Sequence, residues 1–177
     1  MSVMMSVFLG REKEMSRLQE IYEQPGLQTC AVYGRRSVGK SRLLAEFTKD
    51  KRTISFQFIK RSYIENLVRL RGELESFLGR EVEAETFTEL MWVVRDICRE
   101  EKTIVILDEF PYLVRDAPHV TSALQAFLDV DVRDLNCMVV ICGSSESMIR
   151  DAVERISSPL YGRFMNRMRV RPLTFRQ

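Results

Sequence analysis

The chain alternates between short apolar runs and longer stretches in which apolar residues recur at helical spacing. Residues 29–33, 103–107 and 137–142 are continuous apolar runs, a pattern typical of strands whose two sheet faces are both covered by helices. Residues 53–59 alternate between apolar and polar types and are rich in β-formers, which predicts a further strand. These patterns predict an α/β domain with a mostly parallel sheet.

Helices are predicted between these strands. Two of them begin with a capping box, in which Ser62 is followed by Glu65 and Thr86 is followed by Glu89. The predicted helices cover residues 10–21, 40–47, 62–78, 86–97, 120–128 and 146–156. A last strand is predicted at residues 168–171, where arginines alternate with Met168 and Val170 as on a half-buried sheet edge.

Length and composition place these elements in one domain, residues 1–177. Of the residues, 45% are apolar and 29% are charged, the balance of a folded globular protein. No apolar run approaches the roughly 20 residues of a membrane-spanning helix, and the start lacks the basic segment of a secretory signal. We therefore expect a cytoplasmic protein without a membrane partner, in which the four cysteines are buried thiols. With a single histidine, Ser-His-Asp chemistry and a zinc site are not expected.

The net charge of the whole chain is only +2, which does not indicate a nucleic-acid-binding protein. Residues 157–177 nevertheless carry five arginines and no acidic residue. Two interpretations stay open for these arginines, contact with nucleic acid and a solvated strand face, of which the solvated face is the commoner arrangement.

The strongest motif begins where the first apolar strand ends. Residues 34–41 match G-x-x-x-x-G-K-[ST], the phosphate-binding loop. Glycines let the backbone amides of such a loop converge on phosphate, at the positive end of the following helix. Lys40 then reaches the β- and γ-phosphates, and the Ser41 hydroxyl ligates Mg²⁺. The predicted nucleotide-binding residues are Gly34, Arg35, Arg36, Ser37, Val38, Gly39, Lys40, Ser41 and Arg42. Side chains at the variable positions 35 and 36 either touch phosphate or point outward, and the outward orientation is the commoner one.

A pair of carboxylates follows the apolar run at 103–107. In phosphate-loop proteins the first acid, here Asp108, holds Mg²⁺, and the next, here Glu109, is placed to polarise a water for attack on the γ-phosphate. We expect about five strands, with the strand at 53–59 on an edge and the strand at 29–33 flanked by those ending at Asp108 and Ser144. The fold class predicted is the three-layer sandwich of phosphate-loop NTPases.

Two further residues are weaker candidates for catalysis. Ser144 follows the third apolar run and either senses the γ-phosphate or caps the next helix. Arg163 follows a glycine and is either an arginine finger, acting in cis or across a subunit contact, or a solvated surface residue.

Taken together, the motifs resemble those of the prokaryotic archaeal-type ATPases, relatives of the STAND ATPases and of the origin-recognition branch of AAA+ proteins. The likeness covers nearly the whole chain and is carried by residues 8–14, 33–41, 106–110, 142–145, 159–163 and 172–175. It implies an AAA+-type (ASCE) core in which the segment from Phe8 to Glu12 packs near adenine, with Gly10 and Arg11 as contacts. Relatives have a basic residue where Ser37 stands, and they continue into a helical lid, a winged helix and an effector domain beyond the position of Gln177.

The expected activity is Mg²⁺-dependent ATP hydrolysis, with ATP or ADP and Mg²⁺ as ligands. A nucleotide-dependent switch that hydrolyses slowly and a DNA-associated ATPase module remain alternatives, and a small-molecule kinase is the least favoured. Partners would be DNA or protein reached through the further domains of the relatives, or a second copy of the chain.

Overall fold

Five parallel strands form a single sheet in the computed structural model, which describes residues 10–129 and 134–174. The strands are β1 (Leu27–Tyr33), β2 (Thr53–Gln57), β3 (Thr103–Asp108), β4 (Cys137–Gly143) and β5 (Asn166–Arg169). Their order across the sheet is β2-β3-β4-β1-β5, and every neighbouring pair is parallel. All carboxyl ends of the strands therefore point to one edge of the sheet.

Seven helices in the described ranges cover the two faces of this sheet. They are α1 (Glu12–Glu23), α2 (Lys40–Thr48), α3 (Tyr63–Leu78), α4 (Phe87–Glu100), α5 (Phe110–Asp116), α6 (Val120–Leu128) and α7 (Glu146–Glu154). Six of them were expected from the sequence. Helix α5 was not, because it is only seven residues long and has Pro111 in its first turn, so it shows too few periodic apolar positions.

The core has one part on each face of the sheet, because successive strand residues point to opposite faces. On one face, residues such as Val105 and Ile141 pack with helices α3 to α7. On the other face, their strand neighbours, such as Ile104 and Val140, pack with α1 and α2. Every residue of β3 and β4 is buried, which explains the continuous apolar runs in the sequence.

The predicted strand order is confirmed at one edge and wrong at the centre. Strand β2 lies at an edge as expected, but β1 does not touch β3, because β4 lies between them and β5 takes the other side of β1. The wholly buried β3 and β4 take inner positions of the sheet. Strand β5, whose Arg167 and Arg169 are exposed, takes the second edge, as its alternation of arginines predicted.

Both predicted capping boxes are present. The Thr86 hydroxyl accepts the backbone amide of Glu89 at 3.2 Å, and the Glu89 carboxylate accepts the amide of Thr86 at 3.1 Å. Ser62 and Glu65 make the same reciprocal pair at the start of α3. Within residues 10–129 and 134–174, no helix combines the length and the apolar character that a membrane crossing requires.

We expect Thr86→Ala to lower the free energy of unfolding by about 1 kcal/mol, because one amide of the first turn of α4 loses its side-chain acceptor. Urea denaturation followed by circular dichroism measures this change. Thr88→Ala removes the same atoms two residues further on, where the hydroxyl caps no amide, and serves as the matched control. Equal midpoints for the two variants would contradict the capping role of Thr86.

Candidate functional site

The carboxyl ends of β1, β3 and β4 meet beside one cavity, because these three strands are adjacent and parallel. The cavity has a volume of about 500 Å³. One wall is formed by residues 36–42, another by the end of β2 and the loop after it, and Glu109, Tyr112 and Ser144 complete it. The motif after β1 and the acidic pair after β3 are thus brought together, as the sequence predicted.

The loop between β1 and α2 is tightly curled. Gly39 immediately precedes α2 with a φ of 97°, and Ser37 has a φ of 66°, so both lie in the left-handed region. At Gly34 the constraint is space, since a Cβ there would lie 2.3 Å from the carbonyl oxygen of Val170. The backbone amide of Val170 in turn donates to the Tyr33 carbonyl at 2.7 Å. The start of the loop is therefore packed against the chain that leaves β5.

Lys40 lies within the curl of this loop. Its ammonium group donates to the carbonyl oxygens of Gly34 at 2.8 Å and Arg35 at 2.9 Å. The side chain is only 5% exposed, and a buried charge needs such hydrogen-bond partners. Lys40 therefore stabilises the curled loop from the inside.

Ser41 and Asp108 form a direct link between the loop and β3. The Ser41 hydroxyl donates to Oδ2 of Asp108 at 2.8 Å. The other carboxylate oxygen, Oδ1, is buried and has no hydrogen-bond partner among the residues that the structure describes. Burial raises the pKa of the neighbouring Cys142 thiol, and the Asp108 carboxylate raises it further. A hydroxyl and a carboxylate with a free oxygen are the hard ligands that Mg²⁺ prefers, so these residues fit a magnesium ion.

Glu109 and Ser144 are in direct contact. The Ser144 hydroxyl donates to one carboxylate oxygen of Glu109, and the Ser144 backbone amide approaches the other at 3.4 Å. Glu109 itself has a φ of 55°, in the left-handed region, and immediately precedes α5. The cap of α7 is Ser145, whose hydroxyl accepts the amide of Met148. Ser144 is thus turned toward the acidic pair, and its neighbour performs the capping.

Arg11 is buried and contacts the phosphate loop. It is 4% exposed and donates to the Val38 carbonyl at 2.7 Å and to the Glu14 carboxylate at 2.9 Å. A second cavity of about 640 Å³ lies beside Gly10 and Arg11 and is bounded on its other side by residues from Arg167 to Pro172. The resemblance implies that Gly10 and Arg11 contact adenine, and both residues line this cavity. Phe8 and Leu9 lie outside the described residues.

Arg163 does not reach the phosphate loop of its own chain. Its guanidinium group forms a forked ion pair with Asp129, at 2.7 and 2.8 Å, and this contact lowers the pKa of the Asp129 carboxyl. The Arg163 carbonyl accepts the Thr29 hydroxyl near the start of β1. Since Gly34 follows Thr29 by five residues along an extended strand, these two residues are about 16 Å apart.

Two further tail arginines are also paired, whereas Arg171 is exposed and forms no ion pair with the residues that the structure describes. Arg167 contacts Glu154 at 2.9 Å and Arg169 contacts Glu146 at 3.1 Å, both on α7, while Arg176 lies outside the described residues. Of the variable loop arginines, Arg35 and Arg36 are exposed, and Arg36 and Arg42 line the cavity wall.

Sequence reasoning missed the wall formed by the end of β2. Gln57 and Lys60 line the cavity, together with Tyr112 on α5. A signal was present, because β2 is parallel to β3 and its carboxyl end must lie at the same edge. This loop carries no phosphate-binding or metal-binding motif, so the local sequence does not mark it as part of the site.

Comparison with known proteins identifies the family of this chain. A family model described as an ATPase domain predominantly from Archaea matches residues 8–177. An uncharacterized protein of Methanocaldococcus jannaschii is 28% identical over 170 residues, which cover 96% of this chain and 37% of that protein. The present chain therefore spans little more than a third of that relative.

Solved structures share the fold. A Walker-type ATPase of Pyrococcus abyssi superposes with a TM-score of 0.71 at 22% identity, over 94% of this chain and 55% of its own. Cdc6p of Pyrobaculum aerophilum gives a TM-score of 0.66 at 19% identity, over 94% of this chain and 46% of its own.

We expect Arg11→Met to lower the free energy of unfolding by about 2 kcal/mol, because a buried charged hydrogen bond to the loop is lost. Hydrogen exchange should then show faster exchange of the loop amides around Val38. Arg17→Met, on helix α1, is the control, since Arg17 is exposed, its ion pair with Glu20 is 3.9 Å long and its hydrogen bond to Asn166 does not involve the loop. Unchanged protection of the loop amides in Arg11→Met would contradict the supporting role of Arg11.

Proposed function

The chain belongs to the family of ATPase domains found predominantly in Archaea, and from this premise we propose that it binds ATP with Mg²⁺ in the cavity and hydrolyses it to ADP and phosphate. The observation that carries the proposal is the convergence of side chains from three strand ends on one cavity. Lys40, Ser41, Glu109 and Ser144 line it, and Asp108 is hydrogen-bonded to Ser41.

Phosphate binding is assigned to the loop and to Lys40. The first amides of α2 are free of intrahelical partners and attract anions. The ammonium group of Lys40 holds two carbonyl oxygens that a phosphate oxygen can replace. The charge is therefore already positioned before the anion arrives.

Magnesium binding is assigned to Ser41 and Asp108. Their oxygens are hydrogen-bonded to each other, and the unpartnered Oδ1 of Asp108 supports the assignment. When bound, Mg²⁺ supplies charge neutralisation on the β- and γ-phosphate oxygens.

Activation of water is assigned to Glu109. Its carboxylate reaches into the cavity from the end of β3, where it can accept a hydrogen bond from the attacking water and take up its proton. Ser144 acts on this carboxylate through its hydroxyl and amide. As water adds to the γ-phosphorus, the bond to the β-phosphate oxygen breaks and ADP leaves.

A nucleotide-dependent switch with slow hydrolysis is the second candidate function. The contact between Glu109 and Ser144 favours it, because a carboxylate engaged by two donors is less available to water. Three of the tail arginines, Arg163, Arg167 and Arg169, give little support to a DNA-associated role, since each is paired with a carboxylate. We propose that DNA or protein partners act through the parts of the longer relatives that this chain does not span, and that Arg163 acts only on the nucleotide of a neighbouring copy.

We expect Lys40→Ala to abolish binding of MgATP, because the loop loses both its internal support and its phosphate-binding cation. Isothermal titration calorimetry measures this directly. Lys49→Ala is the matched control, since Lys49 follows the same helix, is exposed and pairs with Glu46. Wild-type affinity in Lys40→Ala would overturn the proposed phosphate site.

We expect Glu109→Gln to bind MgATP but to hydrolyse it roughly 10² to 10⁴ times more slowly, because the amide cannot take up the proton of water. Phosphate release under single-turnover conditions gives the rate, with Glu83→Gln, an exposed glutamate, as the control. Should the wild type bind MgATP and turn over no faster than Glu109→Gln, the switch would replace the hydrolase as the function.

A further inference from the structure

The cavity in which ATP is proposed to bind is called here the phosphate cavity. The loop between β2 and α3 forms its wall opposite residues 36–42. Phe58, Ile59 and Lys60 line the cavity there. The amide of Phe58 donates to the carbonyl of Asp108 at 2.9 Å, so the loop is bonded to the strand end that carries the acidic pair. The position of this wall is therefore tied to the catalytic edge of the sheet.

A buried asparagine fixes the conformation of this loop. Asn66, on the first turn of α3, is 1% exposed. Its amide nitrogen lies 3.0, 3.3 and 3.2 Å from the carbonyls of Ile59, Arg61 and Ser62, and its Oδ1 accepts the Ile59 amide at 3.0 Å. A buried side-chain amide with this many backbone partners holds the backbone of the loop in one conformation. Lys60 therefore projects from a loop of defined shape.

The charge of Lys60 is not neutralised by a carboxylate. Its ammonium group lies 5.3 Å from the ring centroid of Tyr112, and no acidic side chain lies within ion-pair distance of it in the described ranges. Lys49 and Lys51, by contrast, pair with Glu46 at 2.5 Å and Asp50 at 3.0 Å. A ring attracts a cation but leaves its charge intact. Lys60 thus presents a full positive charge at the cavity wall.

The position of Lys60 indicates which part of a nucleotide it meets. The cavity proposed for the base lies on the other side of the loop between β1 and α2, beside Gly10, Arg11 and the end of β5. Lys60 lies on the side of Glu109 and Tyr112, where attack on the last phosphate is proposed. A phosphate chain that ran from that cavity past Lys40 would extend into the cavity that Glu109 and Lys60 line.

We propose that Lys60 binds the terminal phosphate of ATP and so gives the site its preference for ATP over ADP. This inference rests on the proposed function, because it assumes a nucleotide on the loop. It also assigns to the chain itself a cation near the terminal phosphate, where Arg163 of the same chain does not reach.

The test uses calorimetry to compare the nucleotide affinities of Lys60→Met and the wild type. The two probes are the slowly hydrolysed analogue ATPγS and ADP, each with Mg²⁺. We expect ATPγS affinity to fall about tenfold, as the loss of one charged hydrogen bond in a solvated cavity implies. ADP affinity should change less than about twofold, since ADP lacks the contacted group. Lys60→Arg, which keeps the charge, should retain the preference.

Arg61→Met is the matched control. Arg61 is the adjacent cation on the same loop and is exposed, but it lines a neighbouring cavity and not the phosphate cavity. We expect its affinities for both probes to match the wild type. An equal loss in Arg61→Met would reveal a general effect of surface charge and would overturn the inference.

The outcomes separate this inference from the proposed function. If the wild type binds neither probe, the proposed function fails and the inference falls with it. If the wild type binds both, and Lys60→Met weakens both equally or neither, the nucleotide site stands and Lys60 has no role at the terminal phosphate. Thermal unfolding of each variant establishes that it is folded, and Lys60→Gln provides a second neutral side chain for the same comparison.

Discussion

The hydrogen bonds from Lys40 to the carbonyls of its own loop are the interaction on which the site depends. A buried ammonium group is costly unless its hydrogens are bonded, and here two carbonyls of residues 34 and 35 satisfy it. Under the proposed function, anion binding at this position would be an exchange, in which phosphate oxygens replace carbonyl oxygens around one cation. Because the loop is already curled, little backbone ordering opposes that exchange.

The loop is also clamped from outside, at two points. Gly34 lies so close to the Val170 carbonyl that a side chain would be excluded, and Val38 accepts a hydrogen bond from the buried Arg11. The two clamps lie at the start of α1 and just after β5, and these segments also line the cavity beside Gly10. Arg11 is therefore shared by this cavity and the loop between β1 and α2, and a displacement of Arg11 would disturb both.

The sequence was sufficient to predict that the carboxyl ends of the three apolar strands lie together. It was insufficient to predict the order of the strands in the sheet. Gly34, Asp108 and Ser144 each follow an apolar run, and parallel strands bring their carboxyl ends to one edge. The order failed because β3 and β4 have equally apolar, wholly buried sequences. Local pattern cannot decide which of the two pairs with β1, since that depends on contacts across the whole sheet.

Side-chain partners far apart in sequence were beyond prediction for a related reason. Arg163 is bound by Asp129, 34 residues earlier, and no local pattern marks that pair. Lys60 appears in the sequence as an ordinary loop lysine, because its significance comes from Asn66, which shapes the loop, and from Tyr112, which lies beneath it. Arg11 was expected near the base, and only the folded chain shows that its guanidinium group supports the phosphate loop.

In the proposed function, the hydroxyl of Ser144 would link phosphate binding to the state of Glu109. A serine hydroxyl has one proton and so donates one hydrogen bond at a time, and here that bond goes to the Glu109 carboxylate. A terminal phosphate within reach of Ser144 would compete for the same proton. If the phosphate takes it, one of the two donors on the carboxylate is removed and Glu109 becomes free to bind water. A fast hydrolase and a slowly hydrolysing switch could then contain the same residues. They would differ in whether the Ser144 hydroxyl donates to the terminal phosphate or to the Glu109 carboxylate.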